Sequence, residues 1–247
     1  MRDFKGKTSI IMPAYNEGVN IHSSIRETLK TVDGLGCDYE VIVVDDGSKD
    51  KTHEEIMKAA SLTDKVKVVR YDDNVGKGFA LIQGFKYATG DLVVFLDADL
   101  DLHPGQIQVL FDYMKMYDAD AVIGSKRHPQ SEVNYPWRRR IMSNTYYIVI
   151  RTLFDLPIRD SQTGLKIFRY EPLKKAINKI LIKKYAFDLE ILVNLHHLGY
   201  KIVSAPVVLN FNRCSWGRIG FKDVCYTAID TLAIFYRLRI LKYYDNE

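Results

Sequence analysis

The sequence predicts an α/β fold: a doubly wound, mostly parallel sheet with helices on both faces and a helical C-terminal elaboration. Three observations carry that expectation. Between residues 8 and 124, short apolar runs alternate with longer amphipathic stretches, the pattern of β-α-β crossovers. Two runs, Val41-Ile42-Val43-Val44 and Val93-Val94-Phe95-Leu96, are continuous rather than alternating, as parallel strands buried on both faces must be. Four of the runs also lead into polar clusters, as strands do at a ligand-binding sheet edge.

Taken in order, Thr8 to Met12 reads as a strand and Val19 to Val32 as a helix. Tyr39 to Val44 is the second strand, with a helix from Lys51 to Ser61. Lys65 to Tyr71 is the third, with a helix from Gly78 to Ala88. Leu92 to Leu96 is the fourth, bounded by Gly90-Asp91 and His103-Pro104-Gly105, and a helix from Pro104 to Tyr117 follows it. Ala121 to Gly124 is a short fifth strand. The second half is richer in Arg and Tyr, with helical patterns over 141–154 and 221–244 and one more strand at Lys201 to Leu209. No repeat or low-complexity linker divides the chain, so one domain over 1–247 is expected.

Composition narrows the function classes. The 247 residues are 47% hydrophobic and 27% charged, enough for a sizeable core. A net charge of +4 does not argue for nucleic acid. Basic residues are nonetheless concentrated: Lys126, Arg127, Arg138, Arg139, Arg140 and Arg151 face a single acid, Glu132, in that stretch, and call for an anionic partner. Cys37, Cys214 and Cys225 show no metal spacing and fit free thiols in a reducing cytoplasm. The N-terminus lacks a secretory pattern, and the longest apolar stretch, Ile141 to Ile150, is about half the ~18–20 residues that span a bilayer. Neither GxxxxGK[ST] nor a strand-to-helix GxGxxG occurs, which argues against P-loop enzymes and NAD-linked dehydrogenases.

Four strand-end clusters carry the chemistry: Pro13-Ala14-Tyr15-Asn16-Glu17, Asp45-Asp46-Gly47-Ser48-Lys49-Asp50, Asn74-Val75-Gly76-Lys77-Gly78 and Asp97-Ala98-Asp99-Leu100-Asp101. Each alone could be a turn, because Asn, Asp, Gly and Ser dominate turns for local reasons. All four on one sheet edge point to a ligand site instead. Alternating carboxylates after a strand repel one another unless a cation lies among them, and hard oxygen ligands suit Mg²⁺ or Mn²⁺. His103 is close enough to be a neighbour of that ion; His22, His53, His196 and His197 lack ligand spacing.

The ordered set Met12-Pro13-Ala14-Tyr15-Asn16-Glu17, Asp45-Asp46-Gly47-Ser48-x-Asp50-x-Thr52, Gly76-Lys77-Gly78 and Asp97-Ala98-Asp99 resembles the family 2 glycosyltransferases of GT-A fold. Gly124-Ser125-Lys126-Arg127 and Asp160-Ser161-Gln162-Thr163-Gly164-x-Lys166-x-Phe168-Arg169 resemble, more narrowly, dolichyl-phosphate mannose synthases and related polyprenyl-phosphate glycosyltransferases. The likeness covers about residues 7 to 220. It implies a nucleotide-sugar-binding half over 7–125, an acceptor half over 126–220 and, at 221–247, a C-terminal helix that is either core or membrane-interfacial.

The resemblance implies that Pro13, Ala14, Tyr15, Glu17 and Lys77 bind the nucleotide sugar, with Asp46 on the base and Asp97 near the ribose or diphosphate. Asp99 and Asp101 would hold the metal; the relatives commonly carry Gln where Asp101 stands here. Arg127, favoured over Lys126 for its forked guanidinium, and Arg139 would contact phosphate, with Arg213 and Arg218 as approximate further contacts to the donor. Asp160 and Gln162 would order the acceptor, with Asp188 and Glu190 nearby.

The implied reaction is inverting, metal-dependent transfer of a hexose, GDP-mannose being the favoured donor, to dolichyl or polyprenyl phosphate. It would take place peripherally at the cytoplasmic face of a membrane. Donors such as UDP-glucose and UDP-N-acetylglucosamine, and a sugar acceptor, are the alternatives within the family. A nucleotidyltransferase would open with a Gly-rich, Arg-containing loop, absent here, and a non-catalytic membrane-associated subunit would have no need of Asp46, Asp97 and Asp99.

Overall fold

The structure is a computed structural model that describes residues 4, 6–133, 137–184, 186–209 and 221–245, with backbone only over 137–145 and 221–225. Strands β1 (Lys7–Ala14), β2 (Asp38–Asp46), β3 (Val66–Tyr71), β4 (Leu92–Leu96), β5 (Ala121–Ser125), β7 (Leu165–Arg169) and β8 (Ile202–Pro206) form a seven-stranded sheet in the order β3-β2-β1-β4-β7-β5-β8. Short strands β6 (Glu132–Val133) and β9 (Val208–Leu209) pair beside it. The chain winds outward from β1 through β2 to β3, then crosses back to β4 on the other side of β1. Such a reversal opens a crevice at the carboxyl ends of the strands.

Alternate residues of the strands feed two cores, which is why the sheet is covered twice. Ile11, Ile42, Val93, Phe95 and Phe168 pack with α3 (Lys77–Phe85), α5 (Trp137–Phe154), α6 (Tyr170–Ile177), α7 (Phe187–His197) and α8 (Phe221–Arg239). Ile10, Met12, Val41, Val94 and Ile167 pack with α1 (Ile21–Leu35), α2 (Thr52–Ala60) and α4 (Ile107–Tyr117). The doubly wound fold and each expected strand of the first half are present. The helix expected from Pro104 opens as one 3-10 turn, Pro104–Gln106, capped by the His103 ring accepting from Gly105 N.

Two departures from expectation in the second half bear on the site. β7 runs antiparallel between β4 and β5, with Leu96 opposite Leu165 and Ile123 opposite Lys166. Its reversed direction sets residues 160–164 at the same sheet edge as the ends of β4 and β5. The single strand expected over 201–209 is two, because Pro206 ends β8 and Val207 turns away to donate its N–H to Ser131 Oγ at 2.9 Å.

The other edge of the sheet is tied by Glu40, which is buried on β2. It accepts from Ser9 Oγ and Thr89 N, both at 2.7 Å, and pairs with Lys67 at 2.7 Å and Lys7 at 3.0 Å. Burial pushes its pKa up, but those partners together outweigh it and hold the carboxyl down to about 2.

α8 is clamped to the core at its end. Glu190 on α7 accepts from Arg237 at 2.8 Å and from the Tyr244 hydroxyl at 2.6 Å, and Thr231 and Ile234 are buried. On its other side Tyr226, Ile229, Leu232, Tyr236 and Ile240 are all exposed. Their spacing of three or four residues makes one continuous apolar stripe. No helix among the described residues is long and apolar enough to cross a membrane.

Candidate active site

The carboxylates that follow β4 sit in a tight turn. Leu100 N donates to Asp97 O at 3.2 Å, Leu100 takes φ 52°, and Asp101 N donates to Asp99 Oδ1 at 3.2 Å. A cavity of about 80 Å³ is bordered by Asp97, Asp99, Asp101, Lys126, Gln162 and Gly164. The metal-side and acceptor-side residues expected from sequence thus meet in one place. Burial and the like charges of Asp97 and Asp101 push the Asp99 carboxyl up to about 6. A larger cavity, about 770 Å³, lies at the far sheet edge beside Phe4, Asp91, Met114 and Tyr170 and holds none of the expected site residues.

Lys77, first residue of α3, reaches Asp97 Oδ1 at 2.6 Å. Burial opposes its charge, but attraction to Asp97 and Asp188 prevails and raises its pKa. The turn that delivers it depends on Gly76, at φ 121°, where a Cβ would lie 2.8 Å from Lys183 O. Asp46 shapes the same turn. Its carboxylate accepts from Tyr71 Oη at 2.7 Å, Asn74 Nδ2 at 2.8 Å, Val75 N at 2.9 Å and Gly76 N at 2.9 Å. Four donors fill the lone-pair capacity of a carboxylate.

The first cluster is laced to the second. Asn16 N donates to Ser48 Oγ at 3.0 Å, Lys49 N to Asn16 Oδ1 at 3.0 Å, Glu17 N to Thr52 Oγ1 at 2.8 Å and Gly18 N to Asp50 Oδ2 at 3.1 Å. Ser48, Asp50 and Thr52 therefore hold the loop that presents Tyr15. Ala14 is buried at the end of β1, Glu17 is buried and Tyr15 is exposed.

On the other side, Asp160 accepts from Lys126 N at 3.1 Å and Gln162 N at 3.2 Å, tying the turn after β5 to the segment before β7. Gly164 touches Asp97 so closely that a Cβ there would lie 2.0 Å from Oδ2. Lys166, buried in β7, donates to Thr163 O and to Asp188 Oδ1, the latter at 2.6 Å.

The glycosyl transferase family 2 model matches residues 9–177, more than half of the chain. This protein is a family 2 glycosyl transferase. Glycosyltransferase AglD of Haloferax volcanii is 30% identical over 203 residues, 81% of this chain but 32% of AglD. Dolichyl-phosphate beta-glucosyltransferase ALG5A of Trichomonas vaginalis is 30% identical over 96% of this chain and 76% of its own length. The chain thus spans about a third of the one and three quarters of the other. Among solved structures, glucosyl-3-phosphoglycerate synthase of Mycobacterium tuberculosis with Mn²⁺ and UDP superposes with a TM-score of 0.70. It covers 94% of this chain and 79% of the synthase at 20% identity, a likeness of fold, GT-A in type.

In the transferase, the cation bordering the cavity among the described residues is Lys126. Arg127, preferred from sequence, lies with its guanidinium carbon 5.1 Å from the centre of the Tyr147 ring. Glu190, expected near the acceptor, is the clamp on α8, and His103 pairs with Glu27 at 3.2 Å. Arg213 and Arg218 lie outside the described residues, as does the side chain of Arg139. Lys166, Tyr71 and Asn74 are the contributors that sequence reading passed over. Lys166 stood inside a quoted motif, and Asn74 in a quoted cluster, so a signal existed for both.

Among the described residues, no three His, Cys, Asp or Glu are grouped so as to hold a metal by themselves. The donor chemistry still suits a hard divalent cation. Like-charged carboxylates border a small cavity, one of them has a raised proton affinity, and an ammonium group already neutralises another.

Proposed function

We propose that this transferase moves a hexose, glucose in preference to mannose, from a nucleoside diphosphate donor to dolichyl or polyprenyl phosphate with inversion. The observation that carries the reading is the shared cavity, which brings Asp97, Asp99 and Asp101 against Lys126, Gln162 and Gly164. The names of the beta-glucosyltransferase relatives support both the sugar and the lipid phosphate. Those names favour a glucose nucleotide such as UDP-glucose over GDP-mannose, the donor favoured by motif likeness.

The chain's residues divide the work. Tyr15 and the loop around it receive the nucleotide, and Asp46 holds the 74–76 turn from which Lys77 projects. Asp99 and Asp101 would hold Mg²⁺ or Mn²⁺, which when bound neutralises charge on the departing diphosphate. Lys126 lies where the acceptor phosphate would pass. A phosphate monoester, with a second pKa near ~6, is already ionised at neutral pH, so no strong general base is called for.

The apolar stripe on α8 supports peripheral docking on an anionic bilayer, with exposed Arg239 and Lys242 beside it to meet lipid headgroups. The half-buried free thiol of Cys37 is in keeping with the cytoplasmic face.

The test is a panel of UDP-glucose, GDP-mannose and UDP-N-acetylglucosamine with polyprenyl phosphate, with Mn²⁺ or chelator, for wild type and Asp99→Ala. Glucosyl lipid should form with the metal and fall by at least about 10²-fold in the variant. Transfer to a soluble sugar only, or equal turnover in chelator, would overturn the reading.

A further inference from the structure

Lys166 places an ammonium group out of reach of water, a costly arrangement unless it is both paired and hydrogen-bonded. Two separate elements meet those needs. Thr163 O belongs to the segment before β7, and Asp188 Oδ1, at 2.6 Å, belongs to α7. Burial, with the like charge of Lys77, lowers the Lys166 pKa, while Asp188 opposes that. Asp188 also attracts Lys77, whose direct partner is Asp97 at 2.6 Å. The set is held by hydrogen bonds from Lys166 to Thr163 O and Asp188 and by the Lys77–Asp97 ion pair, with Gly78 of α3 packed on Phe187 of α7 between the two. It closes on itself where Gly164 rests on Asp97. Neither Lys166 nor Asp188 borders the cavity beside Asp99.

We propose that Lys166 is a positioning residue: with Asp188 it holds the 160–164 segment closed on Asp97, and by neutralising Asp188 it leaves Lys77 to Asp97. The inference rests on reading that segment as the acceptor side. It separates two substitutions that a purely structural role would not separate. In Lys166→Met, Asp188 becomes a buried carboxylate that has lost its paired cation and still attracts Lys77, so Lys77 is drawn from Asp97 and the donor side suffers too. In Lys166→Met/Asp188→Leu no unpaired charge is left. Replacing a buried ion pair with apolar groups is often neutral for stability, so Lys77 keeps Asp97 while Thr163 O still lacks its donor.

The experiment compares wild type, the single and the double variant in three measurements. These are thermal unfolding, calorimetric titration with UDP and Mn²⁺, and kcat and KM for polyprenyl phosphate at saturating UDP-glucose. In the single variant, UDP–Mn²⁺ affinity should fall about tenfold and acceptor KM rise about tenfold, the scale of one displaced charged contact. The double variant should melt no lower than the single and bind UDP–Mn²⁺ within about twofold of wild type, yet keep the raised acceptor KM. Wild-type kinetics in the double variant, or unchanged UDP–Mn²⁺ affinity in the single, would overturn the proposal. If wild type binds UDP–Mn²⁺ but transfers nothing to polyprenyl phosphate, the acceptor reading fails. The titration of the single variant then still decides the link through Lys77.

Discussion

Replacing Gly164 with alanine tests how closely the two sides of the site are fitted. The added Cβ would lie 2.0 Å from Asp97 Oδ2 and 2.5 Å from its Cγ. Comfortable contact needs about 3.5 Å, so the carboxylate or the 160–164 backbone must retreat by more than about 1 Å. Asp97 moving that far leaves Lys77, now at 2.6 Å. That pair is more than a third exposed on both sides, so its loss costs at most about 1 kcal/mol of stability. Overpacking adds about 1–3 kcal/mol. Activity should suffer more than stability, because a displacement near 1 Å in a reacting constellation costs about 10²-fold, or ~2.7 kcal/mol of barrier. Initial rates of nucleoside diphosphate release, taken well below the melting temperature, measure the loss. Gly84→Ala is the comparison, since its Cβ would strike Ile11 Cγ2 at 2.4 Å in the core, away from the cavity. It should lower Tm while leaving kcat of the folded fraction near wild type. Gly164→Ala with activity within about threefold of wild type would refute the reasoning.

Three further outcomes are expected. Glu40 titrates from about 4.5 unfolded to about 2 folded, so it stabilises fully above the unfolded pKa and loses that stabilisation as pH falls through the folded one. Glu40→Gln should therefore cost about 3 kcal/mol in urea melts at pH 7, and the difference should shrink steadily between about pH 4.5 and pH 2. Lys126→Ala should reduce kcat/KM by about tenfold or more, and Arg127→Ala by less, because only Lys126 borders the cavity; the reverse order in acceptor titrations would restore the sequence-based choice. Ile229→Glu/Leu232→Glu should abolish flotation with anionic vesicles while leaving Tm within a few degrees, since both side chains are exposed; retained flotation would rule out the α8 stripe as the docking face.

Much of the first half was legible because each strand there obeys one rule, an apolar run buried on both faces. The carboxylate cluster was legible because it follows directly on a buried strand and so had to lie at that strand's carboxyl end; the tight turn it folds into, in place of strand alternation, was not. β7 escaped because its five residues include Lys166, which any hydropathy pattern places at the surface. Its burial is tolerable because of Thr163 O and of Asp188, the latter from a helix some twenty residues further on. Direction was equally invisible, since an antiparallel strand and a parallel one share the same periodicity. The choice between Lys126 and Arg127 turns on where a turn after β5 points, which side-chain chemistry alone does not give: Lys126 borders the cavity and Arg127 lies against the Tyr147 ring. Asp46 reads from sequence as a ligand contact. Its four donors from residues 71–76 are tertiary and could not be counted in advance.

The reversed strand also bears on how such a protein can change. Residues 126–164 leave the sheet at Ser125 and return at Leu165, and β5 and β7 are neighbours joined by hydrogen bonds. The feet of that long excursion therefore stand about one strand spacing, ~4.8 Å, apart on a rigid base. An insert with its ends already together costs little more when lengthened, about 0.6 kcal/mol per doubling. That part of the proposed acceptor half is in effect a cassette clipped into a fixed frame. Exchanging it between relatives should retarget the reaction with no change to the seven-stranded sheet, only the β6–β9 pairing having to be matched.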